Sequence, residues 1–346
     1  MKILVVRFKQ IGDSILTGPL CYSLKKSFPD AQVDYVVYDH IAPLFEKNKY
    51  IDNVISLTKE ERKNIFKYIK KVWRVTRNNY DIVIDVMSTP KSELFTLFSR
   101  KSKYRIGREK KHRGYTYTHK IPEPKDAKNK VDKFLKMLKP LEKEYKMKYT
   151  EDFSIEIPEE EKLYMRKKME DVGIDFKRPV FAVAINSRVA GKVYDINRMM
   201  EVIKNIIKYL DPQIVFYYSP NEKEFAKKTH EALNWDKHIF SNIETKSIRE
   251  LGMLLSNCTL FFGNEGGPRH LSQSVGIPTF TIYRAGFDIK EWAFQGEKHD
   301  GVGPLDADVN AYSLPADKQN DLITPELVIK KFKDFYRKLI ENKEAK

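Results

Sequence analysis

Cysteine is almost missing from this sequence: only Cys21 and Cys258 occur in 346 residues, without the close spacing of a metal-ligand set. A disulfide framework and a cysteine-built zinc site are thereby excluded, and both thiols are read as reduced and structural. Long apolar runs are missing too. None approaches the ~20 residues that span a bilayer, and the apolar opening Met1–Phe8 carries Arg7 where a signal peptide would continue its core. The expected location is the cytoplasm. No Gly-x-Gly-x-x-Gly follows the first apolar run, which argues against a dinucleotide-binding half. No Asp-x-Asp pair is read on a strand-end loop, so no metal site is expected. Acid is in deficit, with 48 acidic against 63 basic residues and a net charge of +15. That balance favours anionic partners, and nucleic acid and an anionic membrane surface both qualify. Without a zinc-finger, RNA-recognition or helix-turn-helix pattern, nucleic acid is a minor alternative.

What is present points to an α/β chain. At 346 residues it is long for one domain and suited to two, each able to bury its own core. The most informative stretch is Phe261 to Tyr283. Two β-rich apolar runs, Thr259–Phe262 and Thr279–Tyr283, bracket a polar glycine turn and a short helical segment, the pattern of one βαβ unit in a parallel sheet. Its turn falls at the carboxyl edge of a strand, where open α/β sheets bind ligands, and a helix starting near Pro268 aims its N–H groups at an anion there. A diphosphate suits it. The plainer reading is that Gly266 and Gly267 only make a tight turn and His270 packs against the sheet.

Other segments repeat the alternation. Strands are expected at Lys2–Phe8, Val33–Tyr38, Val54–Leu57 and Asp81–Val86, with helices over Ser14–Ser27, Glu60–Arg77 and Lys128–Tyr145. Lys101–Arg113 reads as a basic loop whose Arg105 and Arg108 suit an anionic sugar ligand, or as solvated charge. In the second half, strands are expected at Val180–Ile185 and Ile214–Tyr218, and a helix at Glu159–Val172 that stops at Gly173. Thr324–Lys338 has a hydroxyl cap, proline at its first position and an apolar stripe, which makes it a docking helix.

The wording Asn264-Glu265-Gly266-Gly267-Pro268-Arg269-His270-Leu271 resembles the donor-site signature of glycosyltransferase family 9, the ADP-heptose:lipopolysaccharide heptosyltransferases. Their usual form is Asp-(Thr/Ser)-Gly-x-x-His-Leu, so Glu265 and Gly266 are departures. Gly12-Asp13-Ser14-Ile15-Leu16-Thr17-Gly18-Pro19 is similar to the family's opening motif, which implies that Asp13 is the catalytic base; as a residue alone, Asp13 also fits a helix cap or first-turn acid. Asp85 to Ser92 resembles the acceptor-facing loop, implying acceptor contacts for Lys91 and Ser92. The loop Asn186–Tyr194 is similar to the family's hydroxyl-bearing loop and Lys-x-Trp-Pro. This implies donor contacts from Ser187 and Lys192, with Tyr194-Asp195 in place of Trp-Pro. Ser219-Pro220-Asn221-Glu222 resembles the turn whose acid holds the nucleoside, while Glu222 also fits a first-turn helix acid. Glu265, Gly266, Gly267 and His270 complete the implied donor set.

The resemblance runs from first strand to last helix. It implies the GT-B fold, two Rossmann-like domains with parallel sheets facing across a cleft. The expected boundaries are an acceptor domain at 1–150, a linker at 151–178, a donor domain at 179–323, and a helix at 324–346 packing back across the junction. The implied reaction is inverting transfer of heptose from ADP-heptose to an inner-core sugar of lipopolysaccharide, without cofactor or metal. The implied partner is an anionic acceptor at the cytoplasmic face of the inner membrane. Two alternatives stand: another GT-B enzyme with a different nucleotide sugar or a protein acceptor, and a non-catalytic basic protein that binds nucleic acid or membrane.

Overall fold

The computed structural model describes residues 1–187 and 193–344, which divide into two compact units, Met1–Glu156 and Ile157–Lys346. In the first, strands β1 (Lys2–Val6), β2 (Gln32–Tyr38), β3 (Asn53–Leu57), β4 (Ile82–Asp85), β5 (Tyr104–Arg108) and β6 (His119–Ile121) are ordered β3-β2-β1-β4-β5-β6. Every pairing is parallel. The connecting helices are α1 (Ile11–Ser27), α2 (Lys59–Lys63), α3 (Ile65–Thr76), α4 (Glu93–Phe98) and α5 (Lys130–Leu135). Near-continuous apolar strands such as Ile3-Leu4-Val5-Val6, all fully buried, are what a sheet covered on both faces demands.

The second unit opens with α6 (Glu159–Asp171) and holds β7 (Val180–Ala184), β8 (Gln213–Phe216), β9 (Ile239–Phe240), β10 (Leu260–Asn264), β11 (Thr279–Ile282) and β12 (His299–Val302). Their order is β12-β11-β10-β7-β8-β9, again with parallel pairings. Its helices are α7 (Ile196–Leu210), α8 (Lys223–Ala232), α9 (Ile248–Ser256), α10 (Gly267–Ser274), α11 (Ile289–Trp292), α12 (Pro304–Ala307), α13 (Ala316–Asp321) and α14 (Pro325–Glu344). The expected α/β class with two Rossmann-like units is what the structure shows.

Local chemistry explains where the elements depart from expectation. The helix expected over Glu60–Arg77 is two helices, because Asn64 leaves helical geometry at ψ 112° and its side chain accepts from Lys67 N, capping α3. Thr58 and Glu61 form a capping box at the start of α2. Burial of Val72 and Val75 contributes roughly 1.5–3 kcal/mol each, and with Tyr68 these two make the inner stripe of α3.

The segment read as a basic loop contains β5, whose residues pair with β4 and β6. The helix expected over Lys128–Tyr145 is α-helical only to Leu135 and continues as a 3₁₀ segment, Lys136–Lys143, that contains Pro140. The stretch expected as linker contains α6, which belongs to the second unit and packs against α9. The last helix begins at Pro325, as expected. It lies on α7, β11 and β12 of its own unit, where Phe332 stacks edge-on to Phe262 and Phe280.

An Asp-x-Asp pair does follow a strand: Asp306-Ala307-Asp308, just beyond β12. Its acids are taken up locally. Asp306 accepts from Gly303 N and pairs with Lys331 Nζ at 2.8 Å, and Asp308 accepts from Asn310 N. Among the described residues no group of three or more His, Cys, Asp or Glu is placed to hold a metal ion, and no helix is long and apolar enough to cross a membrane.

Candidate functional site

At the carboxyl edge of the first sheet, Asp13 lies in the first turn of α1, whose N-cap Gln10 supplies no capping side chain. Its carboxylate is largely enclosed and accepts from the Arg7 guanidinium, with Lys9 Nζ 4.0 Å away. Arg7, just past β1, is itself fixed. Its Nη1 donates to Val86 O at 3.3 Å and its guanidinium lies over the Phe134 ring at 4.8 Å. A planar fork held at several points orients the acid it grips, so the Asp13 oxygens have a defined direction. The sequence reading named Asp13 and missed Arg7, although an arginine ending a buried strand is a signal in itself.

Beside it, Asp85 ends β4 fully buried. Oδ1 accepts from Met87 N and Ser88 N, and Oδ2 accepts from Tyr117 OH at 2.8 Å. Burial pushes its carboxyl up to about 6 against the opposing pull of these donors. Tyr117 reaches it by lying across Gly107, where a Cβ would stand 2.3 Å from the ring.

The four residues expected to meet the acceptor are placed as follows. Lys91 donates to Arg62 O at 3.0 Å. Ser92 is fully buried and closes a turn with Thr89, accepting from its N–H and donating to its carbonyl. Arg105 spends its donors on Thr116 O, Arg100 O and Ser102 O. Arg108 is buried on β5 and donates to Pro122 O and Lys133 O. Ser92 and both arginines therefore act as internal ties of the first unit, and Lys91 alone of the four is exposed.

The second sheet presents a different edge. Gly263, at φ 123°, brings β10 so close to β7 that a Cβ would lie 2.6 Å from Ala184 O. Asn264 then bridges the two strand ends: its Nδ2 donates to Ala184 O and its Oδ1 accepts from Tyr194 N at 2.8 Å. This residue, given no role of its own in the sequence reading, fixes the backbone at Tyr194. Lys192 itself lies outside the described residues, which resume at Val193. Tyr194, standing where the family has tryptophan, is buried and donates to Ile323 O.

Gly266, extended at φ 172°, precedes α10, and no side chain caps that helix. Pro268 occupies its first turn, where a missing N–H costs little. The N-terminus of α10 thus directs backbone dipoles toward the sheet edge from a turn with no Cβ at Gly266 or Gly267. Glu265 is buried and its N–H donates to Ile282 O. Arg269, fully buried, donates to Ala293 O, Trp292 O and His270 Nε2. A guanidinium only donates, so Nε2 of His270 accepts and the hydrogen of the neutral ring sits on Nδ1. Burial holds the Arg269 guanidinium below its usual range, and Tyr283 and Glu265 act in the opposite direction.

Ser187 is described as non-helical chain beyond β7, adjacent to the undescribed segment. Glu222 accepts from Asn186 Nδ2 at 2.9 Å and from Ser219 N and Oγ, so it forms a capping box and also ties the β7 and β8 edges together. A cavity of about 380 Å³ opens at the carboxyl ends of β10 and β11, lined by Tyr194, Arg198, Asn264, Tyr283, Arg284 and Asn320 among others. Ser187, Glu222, Glu265, Gly266, Gly267 and His270 do not line it.

The family model for glycosyltransferase family 9 (heptosyltransferase) matches residues 69–299. Lipopolysaccharide heptosyltransferase 3 of Escherichia coli strain K12 is 24% identical over 293 residues, covering 79% of this chain and 80% of the relative. Lipopolysaccharide heptosyltransferase 1 of Campylobacter coli is 24% identical over 301 residues, covering 82% of this chain and 84% of the relative. The structure of E. coli heptosyltransferase WaaC with ADP-2-deoxy-2-fluoro heptose superposes with a TM-score of 0.72 at 17% identity, over 96% of this chain and 99% of that one. At that identity the likeness is one of fold.

Proposed function

From the premise that this chain belongs to glycosyltransferase family 9 and is a glycosyltransferase, we propose that it transfers heptose from ADP-heptose to an inner-core sugar of lipopolysaccharide with inversion at the anomeric carbon. The observation that carries the reading is the division of chemistry between the two sheet edges. One offers a carboxylate oriented by a buried guanidinium. The other offers an uncapped helix start behind a glycine turn, suited to a diphosphate. Relatives named as heptosyltransferases, and one solved with an ADP-heptose analogue, support the choice of donor.

Inversion by single displacement needs a base at the acceptor hydroxyl and charge stabilisation on the departing ADP. Asp13 takes the hydroxyl proton as the new C–O bond forms and the bond from the anomeric carbon to the diphosphate breaks. Arg7 positions Asp13. The N–H groups that open α10, with Lys192, meet the charge growing on ADP. Glu222, bridging Asn186 and Ser219, holds the nucleoside side, and Glu265 faces the sugar. No metal enters this scheme, so EDTA is expected to leave turnover intact.

The test is to incubate the chain with ADP-heptose and a heptose-deficient lipopolysaccharide core, and to follow ADP release and acceptor mass. Gain of one heptose per ADP with inverted configuration is the expected result. ADP-heptose turnover with retained configuration, or no transfer from ADP-heptose beside transfer from another nucleotide sugar, overturns the reading.

A further inference from the structure

Helix α3 divides into three faces. Tyr68, Val72 and Val75 are buried against the first sheet. Next to them runs an outer stripe of large apolar residues: Ile65 is 50% exposed, Phe66 81%, Ile69 37% and Trp73 48%. At 100° per residue these four occupy one sector, and Lys67, Lys70, Lys71, Arg74 and Arg77 fill the rest of the circumference. No acidic residue occurs within α3. Arg77 stacks on the Trp73 ring at 4.7 Å, so an aromatic face and a cation are presented together. Glu60 and Glu61, on α2, pair with Lys67 and Lys71. Lys70 and Arg74 are exposed on the basic sector.

We propose that this outer face of α3 docks on an anionic lipid bilayer, with Phe66 and Trp73 entering the headgroup region and the basic sector meeting the lipid phosphates. The committed partner is the bilayer surface, because exposed aromatics flanked by a run of cations complement a negatively charged interface with an apolar interior. An apolar protein groove without an acidic rim would complement the stripe alone and leave the cations unmatched.

A second helix with exposed apolar residues differs from α3 in charge. On α6, Leu163 is 55% and Tyr164 56% exposed, but its first turn is Glu159-Glu160-Glu161. The position of α3 also matters. It starts at the carboxyl edge of the first sheet, where Tyr68 OH donates to Lys91 O. Docking there holds the edge that carries Asp13 close to the lipid surface. The proposal does not depend on which sugar is transferred.

The test is flotation of the full chain with vesicles of phosphatidylcholine alone or with about 30% phosphatidylglycerol, at low and high salt. Binding is expected only to the anionic vesicles, weakened by salt. A Phe66→Ser/Trp73→Ser variant should lose about tenfold or more of that binding with an unchanged unfolding transition. Lys70→Glu/Arg74→Glu should lose a similar share, and Leu163→Ser/Tyr164→Ser should bind like the parent. Equal binding to neutral vesicles, or undiminished binding by the Phe66/Trp73 variant, overturns the proposal. So does a parent dimer that ignores vesicles and dissociates in that variant, which would assign the face to a second copy.

Discussion

The two sheets share one strand order and differ in what stands at their carboxyl ends. In the first unit the edge is built from acids held by fixed donors: Asp13 by Arg7, and Asp85 by Tyr117 and two backbone N–H groups. In the second unit the edge is built from backbone and amide groups. Gly263 permits close approach, Asn264 bridges the strands, and an uncapped helix begins at Gly267. On the proposed reading the same topology serves two tasks. A proton acceptor needs one side chain aimed in one direction, and a diphosphate needs several weak donors around a space without Cβ atoms.

The largest effect that would sharpen this contrast is at Asp13. Asp13→Asn keeps the shape and removes the proton acceptor, so turnover should fall about 10²–10⁴-fold while the ADP-sugar dissociation constant stays near the parent value. Both are read from initial rates and calorimetry. An equal loss in both would make Asp13 a structural residue and erase the division between the edges.

A smaller effect is expected at Glu265 on the other edge. If Glu265 contacts the sugar as proposed, exchanging its carboxylate for an amide should weaken ADP-heptose by roughly 1–3 kcal/mol and leave ADP alone unaffected. Glu265 also supplies negative charge to the buried Arg269. Equal weakening of ADP and ADP-heptose in Glu265→Gln would assign the acid to the turn and to Arg269.

A third effect, on stability rather than on turnover or binding, concerns pH. Burial raises Asp85 from an ordinary value of 3.8 to about 6. Between those values the folded chain keeps a proton that the unfolded chain has released, so stability falls as pH rises through that window. The loss from this group amounts to about 3 kcal/mol at most. Asp85→Asn retains an oxygen for Met87 N and Ser88 N and can donate to the Tyr117 oxygen. Its denaturant midpoint should therefore change less between pH 4 and pH 7 than the parent's, and an identical pH dependence would remove Asp85 as the cause.

Much of the fold was legible because it rests on local signals. Apolar strands alternate with helices, and Pro325 opens the last helix after Thr324. The glycine turn at 266–267 was legible for the same reason. β5 was not, because Arg105 and Arg108 read as a loop's contacts to an anionic sugar ligand or as solvated charge until the carbonyls of Thr116, Ser102, Pro122 and Lys133 are brought to them by tertiary structure. The bridging role of Asn264 was not legible because its partners, Ala184 and Tyr194, lie 80 and 70 residues away. The break at Asn64 was written in the chain, as a capping residue inside an otherwise helical pattern, and was overridden by the strength of the surrounding periodicity.

The central claim is that the second edge holds an ADP-sugar whose heptose is passed on. It is tested most directly by calorimetric titration of the chain with ADP-heptose beside UDP- and GDP-sugars. The account predicts saturable binding of ADP-heptose that ADP displaces, and binding of the UDP- and GDP-sugars weaker by about tenfold or more, an energy near 1.4 kcal/mol. Tighter binding of a UDP- or GDP-sugar than of ADP-heptose would contradict it.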